Sequence, residues 1–483
     1  MPKGKSIKRN YIYNLLYEVV LIISPLITTP HVSRALGADG VGIYSFTYSI
    51  VTYFILVAGL GTTRFGQREV SYNQNDIEAR SIAFWETEFI RILTTSLMLC
   101  CYLVFAFLQK QNRIIYFILA LNLLNVALDI TWFFQGIEEF GKLVGRNILF
   151  RVLTVASILI FVKDADDVPV YTMCLSGFTA LGSLSLWPFL KGNIRKVEFN
   201  KLKIRKAIKT AFTFFIPTIA IQVYTYLDKT MIGVITNNSF QNGYYEQAHK
   251  IVAMALTFIT SIGTVMIPRM GNLYALGKKD EIKVYLGKSF RFVWMLSIPM
   301  CFGIFAVSEN IVPWFFGPGY EGVVPILRVF SMLVIAMGIN NVIGLQYLIP
   351  TGRQNYYTLC VVIGAVVNLI SNSLLIPRCE AVGATIASVF AEFCIAAVEF
   401  YIIRREISIL LIIKSAGKYI LSGLVMLAIV LIISRQLSSS IVNTMIIALS
   451  GMIVYSLMLF VLKDQFFLGN VKTVLRKVHI LKG

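Results

Sequence analysis

Long apolar stretches recur along this chain, and each approaches the roughly 20 residues that a helix needs to cross about 30 Å of hydrocarbon. Examples are VLIISPLITTP, LTTSLMLCCYLVFAFL and YILSGLVMLAIVLII, which alternate with short, mostly basic segments. Only 14% of the 483 residues are charged, whereas soluble domains carry about 25%. A soluble fold would need many core helices without polar faces. The pattern therefore predicts an all-α membrane protein of about fourteen transmembrane helices.

The apolar stretches set the predicted positions of these spans. The run from Tyr11 to Pro30 is longer than the apolar part of a secretory signal, and no clear cleavage site follows it, so we interpret it as a retained first span. The predicted spans are 11–33, 41–60, 83–108, 114–134, 147–162, 170–190, 210–235, 244–267, 289–311, 326–349, 356–376, 383–403, 419–433 and 441–462.

The distribution of basic residues predicts the orientation. The segments on one side of the predicted membrane contain 33 Lys and Arg residues, and those on the other side contain 6. Because basic loops stay in the cytoplasm, both termini of this multi-pass membrane protein are predicted to be cytoplasmic. The net charge of +19 lies in these loops and not on one compact surface, so we expect no nucleic-acid partner.

The cysteines and histidines give no sign of a disulfide framework, a metal site or a cofactor. Of seven cysteines only Cys379 falls in a predicted external loop, no CxxC is present, and the three histidines are scattered. No Gly-rich phosphate loop of the GxxxxGK[ST] type is present either. If the protein is a transporter, we therefore expect an ion gradient, H+ or Na+, to drive it.

A weak internal repeat predicts two similar halves. Gly42-Ile43-Tyr44 precedes span two, and Gly243-Tyr244-Tyr245 precedes span eight, 201 residues later. Between the halves lies the basic segment KGNIRKVEFNKLKIRKAIK, for which a surface-lying amphipathic helix is one conformation. We predict two pseudo-symmetric six-helix bundles, 1–190 and 210–403, joined by a cytoplasmic linker, 191–209. Residues 404–483 would add two transmembrane helices and a basic cytoplasmic tail.

Five segments between 33 and 273 carry a resemblance to a known family. They are SRALGADGVGIYSFTYSIVTYF, DITWFFQGIEEFGKLVGRN, YLDKTMIGVI, GYYEQAHKIV and GTVMIPRMGNL. In this order they resemble the Wzx-type oligosaccharide flippases of the multidrug/oligosaccharidyl-lipid/polysaccharide exporter superfamily. One relative, the peptidoglycan lipid-precursor flippase, has arginines in its first span. This chain has SPLITTP (24–30) there, so arginine recognition does not carry over to that span.

The resemblance implies a flippase and not an enzyme. Its substrates would be undecaprenyl-pyrophosphate-linked oligosaccharide repeat units, moved across the bacterial plasma membrane for capsule, O-antigen or teichoic-acid-like polymers. The implied partners are this lipid-linked oligosaccharide, membrane lipids, and the polysaccharide polymerase and glycosyltransferases that act on the same sugars.

A pyrophosphate substrate needs cations inside a hydrated lumen, because a charge placed within the bilayer must face a cavity or a partner. Arginine suits phosphate because its fork donates two parallel hydrogen bonds. The candidate substrate-binding cations are Arg91, Arg151, Lys229, Arg64 and Lys250.

Each arginine also has a structural interpretation. Arg91, eight residues into span three, could form an ion pair with Glu88 or Glu86. Arg151 lies four residues into span five and could extend to the interface. Arg64 could reflect only the positive charge of cytoplasmic loops.

The ion-coupling candidates are Asp228, Glu246 and His31. Asp228 and Lys229 are adjacent, about 100° apart around a helix, so we expect at least one of them to face the lumen. Glu246 and Lys250 are spaced i,i+4 and can pair with each other on one helix face. His31 could titrate near neutral pH, but a single histidine at a helix end is more often interfacial.

Two other functions remain open from the sequence. A drug or cation antiporter of the same fold has the same number of spans, and a strongly cationic lumen would disfavour it. A membrane polymerase or glycosyltransferase would resemble proteins with a large external catalytic loop. Here the longest predicted external segment, SENIVPWFFGPGYEGVVP, contains only Glu309 and Glu321 as acids.

Overall fold

The structure, a computed structural model, describes residues 7–480. The side chains of 7–18 and of a few later positions (22, 216, 217, 220, 221, 223, 264, 474, 475 and 477–480) lie outside this description. Residues 1–6 and 481–483 also lie outside the described residues. They include both termini, which the charge distribution predicts to be cytoplasmic.

The regular structure of the described residues is helical, with one isolated bridge between Lys191 and Ile194. Eleven of the described helical segments are long and apolar enough to cross a membrane. Two of these contain a break in the helical backbone that separates two spans, at Gly37 (φ 66°, ψ 179°) and at Glu380 (φ 49°, ψ −130°). Separating these spans gives thirteen, and the 33-residue helix Ile204–Thr236 lies where the remaining span was predicted, at 210–235. The predicted fold class is confirmed.

The chain divides into two compact units at Gly243. The first contains helices α1 to α8 and the first turn of α9. Within it α1 packs against α3, α4, α6 and α8, and α4 packs against α7. The ranges are α1 Ile7–Gly59, α2 Thr62–Tyr72, α3 Ile77–Leu108, α4 Arg113–Leu128, α5 Thr131–Gly136, α6 Phe140–Phe161, α7 Val168–Leu184, α8 Ile204–Thr236 and α9 Ser239–Ala275.

The two glycines of the predicted repeat lie against each other in this unit. A Cβ atom on Gly42 would lie 1.8 Å from the carbonyl oxygen of Ser239 and 2.9 Å from the backbone nitrogen of Gly243. A Cβ atom on Gly243 would lie 2.0 Å from the carbonyl oxygen of Ala38. Helix α1 and the start of α9 can therefore approach this closely only because both positions lack a side chain.

The linker 191–209 does not form the surface helix that its composition allows. Residues 191–203 contain only the isolated bridge and a short 3-10 turn, and α8 begins at Ile204. The reason is that the linker is hydrogen-bonded along α3. The pairs, linker residue first, are Asn193 with Arg80 (2.7 Å), Arg195 with Ser81 (2.8 Å), Lys201 with Glu78 (2.8 Å) and Lys203 with Glu86 (2.6 Å).

The second unit contains the rest of α9 and all later helices. Helix α10 packs against α12, α14 and α15, and α12 packs against α13. The ranges are α10 Lys279–Phe316, α11 Val323–Phe330, α12 Leu333–Asn340, a π-helix Asn341–Leu348, α13 Gln354–Ile403, α14 Ile409–Gln436, α15 Ile441–Val461 and α16 Gln465–Ile480.

This division differs from the predicted one. Helix α8 packs against α1, α2 and α3 and so counts with the first unit, whereas the sequence repeat places it in the second bundle. The assignment of bundles by repeat remains a prediction, because compactness and internal symmetry are different criteria.

Candidate functional site

A polar lumen lies inside the first unit. It consists of two adjacent cavities of about 540 and 450 Å³, which share five lining residues. The shared residues come from α1, from α4 and its C-terminal end, and from α7: Tyr48, Asn122, Asn125, Asp129 and Thr179.

The charge of this lumen is positive. Four arginines line it, Arg64 and Arg91 in the first cavity and Arg146 and Arg151 in the second, whereas Asp129 is the one acid among the lining residues. The Asp129 carboxylate already accepts hydrogen bonds from the backbone N–H and the hydroxyl of Thr131, both at 3.0 Å. With four arginines against one aspartate, the lining side chains carry an excess of positive charge that a bound anion would meet.

Arg91 is the most enclosed of the four, with only 2% of its surface exposed. Its guanidinium donates to the hydroxyls of Thr62 (3.3 Å) and Thr63 (3.1 Å) and to the carbonyl oxygens of Val126 and Asp129. These two carbonyls belong to the C-terminal end of α4, where carbonyl groups lack helical partners. Arg91 therefore caps α4 as well as touching the lumen.

This contact reveals a helix break that the sequence did not predict. Span four was predicted as one helix, 114–134, but α4 ends at Leu128 and α5 begins at Thr131. The Asp129 carboxylate accepts a hydrogen bond from the backbone N–H of Thr131. This forms a local turn that competes with the helix. The predicted span agrees with the apolar segment Arg113–Gly136, but the break inside it was missed because the residues after it are still apolar.

Glu88 is a buried group whose role the sequence did not distinguish from that of Glu86. It is completely buried, and neither carboxylate oxygen has a hydrogen-bond partner among the described residues. Its Oε2 atom lies 3.9 Å from Nε of Arg91, which is likewise without a hydrogen bond. The i,i+3 spacing to Arg91 was the available sequence signal. Glu86, by contrast, accepts from the linker backbone at Lys203.

Arg64 and Arg151 are more available than Arg91. Arg64 is exposed, and no hydrogen bond or ion pair joins it to another described residue. Arg151 is half-buried, and its Nε atom is enclosed without a partner among the described residues. Both guanidinium groups line the lumen and remain able to donate to an anion.

Asp228 and Lys229 do not line either cavity. Asp228 is 5% exposed. Lys229 places its ammonium 5.5 Å from the ring centre of Tyr226, which does line the lumen. One turn of α8 thus brings this pair next to the cavity wall without opening either side chain into the cavity.

The other predicted residues lie elsewhere. His31 donates from Nε2 to the carbonyl oxygen of Val162, 2.7 Å away at the end of α6. In the second unit, Lys250 Nζ lies 3.8 Å from Glu246 Oε1, as the i,i+4 spacing predicts. None of the three lines the lumen of the first unit.

Comparison with known proteins agrees with this architecture. A chain of Escherichia coli K12 described as a candidate O-antigen transporter is 21% identical over 407 residues, which covers 83% of this chain and 97% of that protein. A lipid II flippase MurJ in an inward closed conformation superposes with a TM-score of 0.75 at 14% identity, covering 92% of this chain and 98% of the other. An inward-facing multidrug resistance MATE transporter of the MOP superfamily gives 0.62 at 13% identity, covering 84% and 96%.

The family itself is shown by the sequence. The model of the polysaccharide biosynthesis protein family matches residues 7–274, more than half of the chain. That segment contains every stretch on which the resemblance to Wzx-type flippases rests, together with the whole arginine-lined lumen. This multi-pass membrane protein therefore belongs to the polysaccharide biosynthesis protein family, with the fold of the multidrug/oligosaccharidyl-lipid/polysaccharide exporter superfamily.

Proposed function

We propose that this protein is a flippase for undecaprenyl-pyrophosphate-linked oligosaccharide repeat units in the bacterial plasma membrane. The observation that carries the proposal is the lumen of the first unit, which combines four arginines with neutral polar groups and a single acid. A candidate O-antigen transporter and a lipid II flippase are among its relatives in sequence and fold.

The lumen suits both parts of the substrate head group. A pyrophosphate carries two negative charges, and guanidinium groups bind phosphate oxygens in pairs. Arg64 and Arg151 would make the first contacts because they have no bond to break. Sugars would meet the amides of Asn122 and Asn125 and the rings of Tyr44 and Tyr48, which are stacked 5.6 Å apart.

The lipid tail would remain in the bilayer while the head group crosses, since only the head group needs a hydrated path. Alternating access driven by H+ or Na+ would supply the direction of transport. Asp228, Glu246 and His31 remain the coupling candidates, and Asp228 is the best placed because its helix turn adjoins the lumen wall at Tyr226.

A drug or cation antiporter is the less favoured function. A cationic drug would enter a cavity lined by four arginines and one aspartate whose carboxylate is hydrogen-bonded. Repulsion between like charges opposes this.

Reconstitution decides between the two. Purified protein in proteoliposomes would be given a lipid-linked oligosaccharide in one arm and a cationic dye in the other. Head groups that reach the opposite leaflet become accessible to a membrane-impermeant glycosidase, and dye transport is followed by fluorescence. We expect glycosidase cleavage to exceed that of empty liposomes and dye transport to stay at background. Dye transport without head-group transfer would establish the antiporter.

A further inference from the structure

A basic groove lies where the linker enters α8, apart from the lumen. It contains the four cations Lys203, Arg205, Lys206 and Lys209 and the aromatic rings of Phe89 and Phe199. The rings pack edge to face with centres 5.3 Å apart, and Phe199 is 62% exposed. The groove thus combines four cations with an exposed apolar surface.

The cations of the groove have no carboxylate partner. All four are exposed, and none forms a salt bridge or a side-chain hydrogen bond with another described residue. Glu86 accepts a hydrogen bond from the backbone N–H of Lys203 and not from its ammonium. The first turn of α8 also contains no acid, although positive side chains are disfavoured at that end of a helix.

Other basic segments of the same predicted face differ from this one. Lys278 pairs with Glu281 at 2.7 Å, and Lys283 pairs with Asp280 at 3.1 Å. The four cations of the groove have no such acidic partner among the described residues. An anionic ligand would balance their charge.

Apolar side chains continue from the groove along α8. Ile208 and Phe212 are 36% and 48% exposed, spaced i,i+4 on one face. At a rise of 1.5 Å per residue, Ile208 and Phe212 lie about 3 Å and about 9 Å further along the helix axis than Lys206. A ligand that contacted both the cations of the groove and these apolar side chains would carry an anionic head group followed by a hydrocarbon tail.

We propose that the basic groove binds an anionic phospholipid of the bilayer. Its phosphate would lie among Lys203, Arg205, Lys206 and Lys209, and its acyl chain would pack on Phe199 and along Ile208 and Phe212. Because the linker is bonded to α3, the bound lipid holds α3 and the start of α8 together at the membrane surface. This site is independent of the transported substrate and of the lumen arginines.

The test is a titration of the purified full-length protein with phosphatidylglycerol in mixed micelles, with phosphatidylcholine as the filler lipid and the thermal midpoint as the readout. The variant Lys206→Gln/Lys209→Gln removes two cations of the groove. The matched control, Lys278→Gln/Lys283→Gln, removes two cations that have protein partners. A third variant, Lys206→Arg/Lys209→Arg, keeps the charge.

We expect phosphatidylglycerol to raise the midpoint of the wild-type protein, the control and the arginine variant at similar concentrations. The glutamine variant of the groove should need on the order of tenfold more lipid, since each lost cation weakens attraction to an anionic surface. Glycerol phosphate, which has the head group but no acyl chains, should have no effect at matched concentration.

Three results would overturn the proposal. An equal shift in the groove variant and the wild type would place the lipid elsewhere. An equal shift with glycerol phosphate would identify a site for free phosphate and not for a lipid. A midpoint shift with a lipid-linked oligosaccharide that the groove variant loses, with no response to phosphatidylglycerol, would make the groove a docking site for the substrate.

Discussion

Nε of Arg91 lies 3.9 Å from Oε2 of Glu88, and neither atom has a hydrogen-bond partner among the described residues. The two side chains are almost completely enclosed, and Arg91 is the cation within 4 Å of the Glu88 carboxylate among the described residues. Arg91 is at the same time bonded to the end of α4. A substitution of Arg91 therefore changes contacts of the fold as well as the lumen, so export and stability have to be measured side by side.

The first prediction concerns this pair. Arg91→Ala should lower both polymer export and the thermal stability of the purified protein. It removes the bonds at the end of α4 and leaves Glu88 as a buried, uncompensated charge, at a cost of about 3–5 kcal/mol. Thermal unfolding in detergent, followed beside export in cells, measures both effects.

A double variant that removes both charges supplies the control. Arg91→Leu/Glu88→Leu should be more stable than Arg91→Leu alone, because it leaves no buried charge without a partner. If Arg91→Ala stops export while its unfolding midpoint matches the wild type, Arg91 acts on the substrate only.

The second prediction concerns the available cations of the lumen. Arg64→Gln and Arg151→Gln should each reduce export at least several-fold while changing stability little, because neither guanidinium has a bond in the described structure to lose. Arg64→Lys should restore part of the export, since an ammonium cannot reproduce the bidentate fork. Export of labelled polymer and unfolding midpoints give the two readouts.

Arg113→Gln is the matched control for these variants. Arg113 is exposed and packs over the ring of Phe107, 4.1 Å from its centre, away from the lumen. The Arg113→Gln variant should export polymer at the wild-type level. Wild-type export by the Arg64→Gln/Arg151→Gln double variant would remove both residues from the proposed substrate site.

The third prediction separates coupling from binding. Asp228→Asn should lose stimulation of flipping by an imposed ion gradient yet keep substrate binding, since the amide mimics a permanently protonated carboxyl. Lys229→Ala should weaken flipping at every pH. Proteoliposomes assayed with and without a gradient provide the measurement.

If Asp228 only neutralises a neighbouring lysine, the variant Asp228→Asn/Lys229→Gln should recover the activity that Asp228→Asn lost. Glu246→Gln serves as the comparison in the second unit, where Glu246 pairs with Lys250. Gradient stimulation that survives in Asp228→Asn would exclude this carboxylate as the coupling group.

The fourth prediction concerns the glycine contact between α1 and the start of α9. Gly42→Ala and Gly243→Ala should each destabilise the protein, because the new Cβ atom would lie about 2 Å from a backbone carbonyl oxygen. Overpacking of this kind costs about 1–3 kcal/mol or more. Gly145→Ala, where no atom lies within 4 Å, should leave the unfolding midpoint unchanged or slightly higher.

The fifth prediction concerns orientation. Reporter fusions after residues 200, 280 and 410 should report cytoplasm, and fusions within 163–169 and 236–243 should report the outside. An external signal after residue 200 would reverse the predicted topology and place the basic groove on the outer surface.

Hydropathy was sufficient for most of the fold. The breaks at Gly37 and Glu380 fall in the gaps predicted at 34–40 and 377–382, because polar residues and glycine interrupt the apolar pattern there. The break after Leu128 was missed, since the following residues Ile130 and Trp132 to Phe134 stay apolar. A local turn made by Asp129 leaves almost no trace in a hydropathy average.

The site was less accessible to sequence reasoning. Sequence could identify Arg91 and Arg151 as unusual charges within spans, but their partners depend on which helix ends lie opposite them. The capping of α4 by Arg91 follows from the break at Asp129, and so could not be predicted without it. Arg146 was assigned to a cytoplasmic segment, yet it lines the second cavity because α6 begins at Phe140 and not at 147.

The attachment of the linker to α3 has a consequence for biogenesis. Its bonding partners precede it by 113 to 123 residues, which correspond to roughly 5–25 s of synthesis at 5–20 residues per second. Until the linker emerges, Glu78, Arg80, Ser81 and Glu86 have no linker groups to bind. The hydrogen bonds between α3 and the linker can therefore form only after the linker has been synthesised. The order of translation thus determines when this part of the first unit can be completed.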